Sequence, residues 1–378
     1  MSILRPLPER LLLGPGPSNA HPDVLEAMSR PLLGHLDPDF IALLDRVKEG
    51  LREAFGTQNA MTLPLSATGS AGMEAALVNL LEPGDPVVIG VNGVFGGRMA
   101  EVARRAGAQV HTVEAPWGST LEVSAMADAI ERVRPRVVGF VHAETSTGVC
   151  QPVDEIARAA RDAGALVVLD CVTSLAGRPV CLDEWGIDAA YSGTQKCLSC
   201  PPGLSPVSFS ERAIAVARER DVPVQSWFLD LSLLAGYYAG EDTGSGAKRV
   251  YHHTAPISAI YGLAAGLDRV FDEGLPARFA RHTAAADRLV QGLDPLGFEP
   301  LVAVADRLPM LTSVRLPESV RRLGEAVVRT RLLDEFGIEV GAGLGPLAGE
   351  IWRIGLMGEN ARPEPVDRLL EALRKILG

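Results

Sequence analysis

Between about residues 60 and 210, apolar and polar positions follow two alternating periods, and this alternation predicts the centre of the fold. Segments such as 165–170, which reads Ala-Leu-Val-Val-Leu-Asp, are nearly continuous apolar runs, as is typical of strands buried on both faces. Segments such as 71–81 instead place apolar residues at helical spacing, which predicts an amphipathic helix. The predicted strands are Pro86–Val91, Gln109–Glu114, Arg136–Ala143, Ala165–Asp170 and Ile187–Ser192, and the predicted helices are Ala71–Leu81, Gly96–Ala106, Ser124–Val133 and Val153–Ala163.

Strands that alternate with helices in this way indicate an α/β fold with a mainly parallel sheet, in which binding sites lie at the carboxyl ends of the strands. The pattern changes after residue 254, where the predicted helices are Ala255–Glu273, Pro276–Leu293, Gly324–Phe336 and Pro363–Leu377, with one strand at Met310–Leu316. Several helices with few strands suggest a second, smaller domain. We therefore expect an irregular arm over 1–20, a large domain over 21–273 and a smaller α+β domain over 274–378.

Composition narrows the class of protein. A chain of 378 residues with 47% hydrophobic and 22% charged residues is typical of a globular protein large enough for two domains. Its net charge of −11 disfavours nucleic acids and anionic membranes as partners, because both would repel it. We expect no transmembrane helix and no secretory signal, because the chain has no apolar run of about 18 residues and its first residues lack a continuous apolar stretch.

The cysteines indicate a reducing compartment and no metal. The chain has five, namely Cys150, Cys171, Cys181, Cys197 and Cys200, in a length that needs no disulfides for stability, so we expect free thiols and a cytoplasmic protein. Cys197 and Cys200 form a single Cys-x-x-Cys. A structural zinc site would need a second pair of ligands, so we expect no metal.

The first candidate for chemistry is Lys196, which follows the predicted strand 187–192. Small residues surround it in Ser-Gly-Thr-Gln-Lys, and Pro201-Pro202-Gly203 follows, which leaves room for a planar ring to approach. A lysine that forms a Schiff base must lose its proton, and burial lowers its pKa for that purpose. An ordinary solvated lysine remains the alternative on local sequence alone.

Two further segments fit the same chemistry. Asp170 ends a buried strand 26 residues before Lys196. In an enzyme that uses pyridoxal 5′-phosphate (PLP), a carboxylate there would pair with the ring nitrogen and keep it protonated; capping a helix or bracing a loop is the alternative. Ser66-Ala-Thr-Gly-Ser-Ala-Gly72 opens a helix, whose free N–H groups would bind a phosphate; an ordinary helix cap is the alternative. The loop lacks the Gly-Lys-Ser/Thr of a nucleotide-binding P-loop and the Gly-x-Gly-x-x-Gly of a dinucleotide site.

Together these segments resemble the class V (fold type I) PLP aminotransferases, and most of all the alanine–glyoxylate and serine–glyoxylate (serine–pyruvate) aminotransferase family. The resemblance spans nearly the whole chain. It includes Leu11–Ser18, Glu74–Asp85, Glu144-Thr-Ser-Thr-Gly148, Ser192-Gly-Thr-Gln-Lys196, Tyr251-His-His-Thr254 and Arg353-Ile-Gly-Leu-Met-Gly358. The lysine and Tyr-His-His-Thr motifs are the more specific of these.

The resemblance implies PLP as cofactor, with Lys196 as the Schiff-base lysine and Asp170 as the partner of the ring nitrogen. The further cofactor contacts that it implies are Thr68, Gly69, Ser70 and Gln195 at the phosphate, Phe95 stacked on the ring, Thr145 near the ring hydroxyl and Val172 behind the ring. Ser70 stands where some members have histidine, and Phe95 where tryptophan is frequent. The implied substrate residues are Arg353, which would hold the carboxylate, with Ser174 and Gly16. Tyr251 and Thr254 match residues that reach the phosphate of the neighbouring subunit, which implies a homodimer with shared active sites.

The leading hypothesis is transfer of an amino group from a small amino acid, alanine or serine, to glyoxylate or pyruvate. A class V transaminase with a ureido or purine-derived donor and glyoxylate is an alternative. Cysteine desulfuration is disfavoured, because no cysteine follows Cys200. A catalytically silent PLP-binding regulator would need a DNA-binding module, for which the chain has neither length nor basic charge. A nicotinamide dehydrogenase would leave Lys196 without a role.

Overall fold

The computed structural model describes residues 6–238 and 249–378. Its strands are β1 Leu11–Leu13, β2 Met61–Leu65, β3 Pro86–Val91, β4 Gln109–Glu114, β5 Val137–Val141, β6 Ala143–Glu144, β7 Val149–Cys150, β8 Leu166–Asp170, β9 Ala189–Tyr191, β10 Ser205–Phe209, β11 Glu299–Pro300, β12 Leu311–Arg315, β13 Ile338–Ala342 and β14 Ile351–Gly355. Its helices are α1 Pro22–Met28, α2 Pro38–Phe55, α3 Gly69–Leu80, α4 Val94–Arg105, α5 Val123–Val133, α6 Asp154–Asp162, α7 Leu182–Trp185, α8 Glu211–Arg218, α9 Leu231–Tyr238, α10 Ile257–Glu273, α11 Leu275–Leu293, α12 Glu318–Leu323, α13 Glu325–Phe336 and α14 Pro363–Leu377.

A sheet in the order β2-β10-β9-β8-β5-β3-β4 forms the larger core. Strands β4, β3, β5, β8 and β9 pair in parallel, and β10 runs antiparallel to both of its neighbours. Every residue of β5 and β8 is buried, as their apolar runs predict. The α/β fold with a mainly parallel sheet is therefore confirmed.

Helices α2 and α3 begin differently, and the difference decides which of their first main-chain N–H groups lack a hydrogen-bond acceptor. Helix α2 begins at an aspartate, Asp37, whose side chain accepts a hydrogen bond from the N–H of Asp39, the usual arrangement at a helix start. Helix α3 begins after Thr68, whose side chain makes no such bond. The first N–H groups of α3 therefore remain open to a ligand.

The second sheet corrects the prediction of few strands in the C-terminal part. It has the order β1-β13-β14-β12-β11. Of its strands, β11 spans only two residues, β1 comes from the opposite end of the chain and pairs in parallel with β13, and β13 and β14 are five residues each and were also missed. The segment 1–20 is therefore not irregular throughout: residues 11–13 are a strand, and residues 1–5 lie outside the described part.

Two main apolar cores accompany the two sheets. The larger is built from buried residues between Val24 and Val270. The smaller combines Leu13 with residues between Ala285 and Ile376. Helix α10 ends in Glu273 and α11 follows from Leu275; the domain boundary at 273 stays a prediction. Over residues 6–238 and 249–378, no helix has the length and apolar character to cross a membrane.

Candidate active site

A cavity of about 180 Å³ opens at the carboxyl ends of β5, β8 and β9. The last residues of these strands, Val141, Asp170 and Tyr191, lie side by side in register. The start of α3 and the loop after β9 complete the cavity. Its lining is Thr68, Gly69, Ser70, Met73, Phe95, Arg98, Val141, Ala143, Thr145, Asp170, Val172, Thr173, Tyr191, Gln195 and Lys196. All of the cofactor contacts predicted for one subunit are thus in one cavity.

Asp170 is a buried carboxyl with defined partners. It accepts hydrogen bonds from the N–H of Val172 at 2.8 Å and from the hydroxyl of Tyr191 at 2.9 Å. Burial raises the pKa of Asp170 to about 7, although both hydrogen bonds and the charge of Lys196 oppose the rise. The carboxyl is therefore poised near neutrality and oriented by neighbouring strands.

Lys196 is nearly buried, with 8% of its surface exposed. Burial lowers the pKa of Lys196 to about 8, and the positive charge of Arg353 adds a smaller decrease. Its ammonium group donates to the main-chain oxygen of Pro15. A lysine with these properties is available as a neutral amine more often than a solvated one, as nucleophilic and proton-transfer chemistry requires.

The N-terminal segment covers this lysine. Ser18 donates from its hydroxyl to the main-chain oxygen of Lys196 at 2.8 Å and from its N–H to that of Gln195 at 2.9 Å. Gly16 has φ of +111°, and a Cβ added there would lie 2.5 Å from the lysine Nζ. A side chain at position 16 would therefore displace the amine, so the predicted substrate residue Gly16 does lie beside Lys196.

The start of α3 provides an anion site in the cavity. The N–H groups of Ala71 and Gly72 bond to the main-chain oxygen of Thr68, whereas those of Gly69 and Ser70 have no such intrahelical acceptor. The helix dipole adds positive potential at this end. Gln195 lines the same cavity, and its side-chain NH₂ is a donor that could bind an anion.

Phe95 lies at the start of α4 and is held there by Glu144, a fully buried residue. The carboxylate accepts from the N–H groups of Phe95 at 3.0 Å and Gly96 at 3.3 Å, and from the N–H and hydroxyl of Ser146 at 3.0 and 2.6 Å. Gly93 allows this approach, because a Cβ there would lie 2.5 Å from the carboxyl carbon of Glu144. The position of Phe95 therefore depends on a buried carboxyl group.

Arg353 reaches the site from β14 of the smaller sheet and is 7% exposed. Its Nε donates to the main-chain oxygen of Ala342 at 2.7 Å, and its Nη1 to that of Thr145 at 3.3 Å. Burial lowers the pKa of Arg353, while the charge of Glu144 opposes this. The hydrogen bonds found in the described part of the chain do not use Nη2, which remains for a ligand.

Tyr251 and Thr254 do not line the cavity of their own chain. Tyr251 is 58% exposed, and Thr254 is also exposed. The segment between them is anchored through His253, whose Nε2 lies 2.7 Å from the hydroxyl of Ser66, just before the start of α3. Their predicted role at a neighbouring subunit stays a prediction.

Ser174 also fails to reach the cavity, although it was predicted to contact substrate. It is fully buried, and its neighbour Thr173 lines the cavity instead. The chain turns after β8, where the N–H of Leu175 donates to the main-chain oxygen of Cys171. After this turn Thr173 lines the cavity, whereas Ser174 is buried away from it.

Seven residues at the site had no predicted role. Six line the cavity, namely Met73, Arg98, Val141, Ala143, Thr173 and Tyr191, and the seventh is Glu144, which holds the start of α4. Glu144 begins one motif that carries the resemblance and Tyr191 directly precedes another, so their positions were a usable signal. The hydrogen bond from Tyr191 to Asp170 depends on the register of two strands. The contact of Glu144 with the start of α4 joins residues that are 49 positions apart in the sequence. Neither follows from one sequence.

A larger depression of about 900 Å³ lies between α1, α2 and α10. Its lining includes neither Lys196 nor Asp170, and it does not include the start of α3. We place the active site in the smaller cavity, because a lysine of lowered pKa, a carboxyl of raised pKa and an anion site converge there.

Comparisons with known proteins agree with this geometry. The family model described as aminotransferase class V matches residues 11–353. An alanine–glyoxylate aminotransferase from Drosophila melanogaster is 40% identical over 99% of this chain and 94% of its own length. An (S)-ureidoglycine–glyoxylate transaminase from Bacillus subtilis is 38% identical over 98% of this chain and 91% of its own. The crystal structure of an alanine–glyoxylate aminotransferase from Nostoc sp. superposes with a TM-score of 0.95 at 46% identity, covering 100% of this chain and 97% of that one.

Proposed function

The chain belongs to the class V aminotransferases, and we propose that it transfers the amino group of alanine or serine to glyoxylate or pyruvate, with PLP as cofactor. The observation that carries the proposal is the convergence of Lys196, Asp170 and the open start of α3 in one cavity, with Arg353 beside it. The relatives named for alanine–glyoxylate transfer support the choice of substrates.

The residues present fit PLP at both ends of the molecule. The open N–H groups of Gly69 and Ser70, with Thr68 and Gln195, suit its phosphate, and Phe95 and Val172 offer apolar surfaces to its ring. Thr145 lines the same cavity and would contact the ring hydroxyl. When bound, PLP supplies a ring that accepts the electrons left behind as a proton departs from the substrate Cα.

Lys196 would bind the cofactor covalently and afterwards move the proton. Its pKa of about 8 allows the neutral amine to accept a proton from the Cα of a bound amino acid and the ammonium to return one. The main-chain oxygen of Pro15 accepts from this group and orients it in either state.

Asp170 would keep the ring nitrogen protonated. A protonated nitrogen beside it would lower the pKa of Asp170 from its value of about 7 in the free protein, because an adjacent positive charge favours the carboxylate. The hydroxyl of Tyr191 donates to the same carboxyl and so favours its ionised form.

Arg353 would bind the carboxylate that every donor and acceptor in this reaction carries. A guanidinium holds a carboxylate with two parallel hydrogen bonds. Because Nε and Nη1 are already fixed by Ala342 and Thr145, the remaining donors are presented without further loss of side-chain freedom.

We also propose a homodimer with shared sites. Tyr251 is exposed, and its segment is tethered through His253 to the loop before Thr68. Both observations support the proposal that this segment contributes to the active site of the neighbouring subunit.

Borohydride reduction of the protein incubated with PLP, followed by peptide mass spectrometry, tests the cofactor assignment, and the adduct should lie on Lys196. A panel of amino donors against glyoxylate and pyruvate tests the substrates. We expect turnover with alanine or serine. The relative named (S)-ureidoglycine–glyoxylate transaminase makes a ureido donor the second candidate, and turnover with that donor alone would replace the first. No adduct on Lys196 would contradict the proposal.

A further inference from the structure

Arg98 lies in the active-site cavity without an assigned role. It follows Phe95 by one turn of α4, and its guanidinium lies 4.9 Å from the centre of the phenyl ring. Its Nη1 is 3.3 Å from the hydroxyl of Ser70, at the open start of α3. The guanidinium therefore lies between the residue that would stack on the cofactor ring and a residue that would hold the phosphate.

We propose that Arg98 is the cationic ligand of the cofactor phosphate, an inference that rests on the proposed function of the site. The phosphate of such a cofactor carries between one and two negative charges near neutral pH. The residues assigned to it in the same chain, Thr68, Gly69, Ser70 and Gln195, are all uncharged. The start of a helix contributes the equivalent of only about half a positive charge.

The charges around the cavity leave Arg98 as the available cation. Of the described residues that line the cavity, Lys196 and Arg98 are the cationic ones. The amine of Lys196 is directed to Pro15 and is required for the chemistry at the aldehyde carbon of the cofactor.

Arg98 also differs from the other arginines of its helix. Arg104 and Arg105 both pair with Glu101, at 3.2 and 2.8 Å. In the part of the chain that the structure describes, Arg98 has no ion pair with a carboxylate. A guanidinium placed against an open helix start, and not neutralised by an acidic side chain, is suited to an anionic ligand.

The experiment compares PLP with pyridoxal, which lacks the phosphate. Apoprotein is titrated with each compound and binding is followed by tryptophan fluorescence, for wild type, Arg98→Gln, Arg98→Lys and the control Arg105→Gln. Arg105 lies on the same helix, and 79% of its side chain is exposed, so the control removes one charge from α4 away from the cavity.

We expect Arg98→Gln to raise the Kd of PLP by about 10- to 100-fold, the effect of losing a hydrogen bond to a charged group, and to leave the Kd of pyridoxal unchanged. Arg98→Lys should recover part of the loss, and Arg105→Gln should match wild type. Equal weakening of PLP and pyridoxal would overturn the proposal, because it would place the effect on the ring or on folding. No weakening of either would overturn it as well. Failure of the proposed function is distinct, since wild type would then give no borohydride-trapped adduct on Lys196.

Discussion

The carboxylate of Glu144 accepts a hydrogen bond from the main-chain N–H of Phe95 at 3.0 Å. The two residues are 49 positions apart, and their contact joins the short hairpin of β6 and β7 to the start of α4. Three more donors, from Gly96 and Ser146, fill the remaining positions around the carboxylate. Donors thus lie at both oxygens of the carboxylate. Burial raises the pKa of Glu144, and these four hydrogen bonds oppose the rise.

Glu144→Gln should destabilise the protein. The amide NH₂ that replaces one carboxylate oxygen cannot accept the hydrogen bonds that the facing N–H and O–H groups donate. We expect the free energy of unfolding to fall by about 2–4 kcal/mol and the affinity for PLP to decrease as Phe95 shifts. Urea denaturation of the apoprotein measures the first effect. Glu101→Gln on the exposed face of α4 is the control. If both variants are equally stable, Glu144 does not hold the start of α4.

Lys196→Ala should abolish turnover, since no other described residue in the cavity offers an amine. PLP should still bind without a covalent bond through Asp170 and the phosphate contacts. Steady-state assays with alanine and glyoxylate, together with equilibrium dialysis of PLP, measure the two effects. Lys375→Ala, at an exposed position of α14, is the matched control. Activity near that of wild type in Lys196→Ala would refute the assignment.

Asp170→Asn should slow the half-reaction with alanine by more than about tenfold, because the variant cannot keep the ring nitrogen protonated. Single-turnover absorbance measurements give the rate. A rate within about threefold of wild type, a difference below roughly 0.7 kcal/mol, would leave Asp170 with a structural role only.

The same variant has a second expected effect, on the stability of the apoprotein. The pKa of Asp170 is raised to about 7 in the folded protein from 3.8. Its contribution to stability is therefore fully present below about pH 4 and is lost as the pH rises through 7. Urea denaturation between pH 4 and 8 should show a smaller decrease for Asp170→Asn than for wild type. Identical slopes would mean that Asp170 titrates normally.

Arg353→Lys should weaken alanine and glyoxylate together, by about 2–4 kcal/mol in kcat/KM, because lysine cannot form two parallel hydrogen bonds to a carboxylate. The affinity for PLP should stay the same. Arg315→Lys, at the exposed end of the adjacent strand β12, controls for a conservative change on the same sheet. Loss for one substrate alone would place the carboxylate of the other elsewhere.

Shared sites predict that two inactive variants restore each other. In a mixed dimer of Lys196→Ala with the double variant Tyr251→Phe/Thr254→Ala, one site would receive only wild-type residues. Random exchange should then recover about a quarter of wild-type activity. Activity measured after co-refolding tests this, and each variant refolded alone is the control. No recovery would mean that Tyr251 and Thr254 serve their own chain.

The sequence predicted what depends on local pattern and missed what depends on distant pairing. The run Ala-Leu-Val-Val-Leu-Asp predicts both β8 and the position of Asp170 at its end, because burial on both faces requires continuous apolar residues. The five-stranded sheet is different. Its strand β1 is only three residues long and acquires its partner from β13, more than 300 residues away.

The site shows the same division. Lys196, Asp170 and the loop at Thr68 follow from motifs, and the structure brings them together. Arg98 resembles any exposed arginine of a helix until α3 is placed beside α4. The family resemblance implies Ser174 as a substrate residue, but the cavity is lined by its neighbour Thr173.

The pairing of β1 with β13 bears on how the protein is made. A ribosome synthesises the segment 11–18 early, whereas β13 begins at Ile338. At roughly 5–20 residues per second, the N-terminal segment waits tens of seconds for its partner strand. Strand β1 can therefore pair only after β13 has been made, although Pro15 and Ser18 of the same segment contact Lys196 in the larger part of the protein. The pairing thus couples completion of the smaller sheet to the segment that covers the active-site amine.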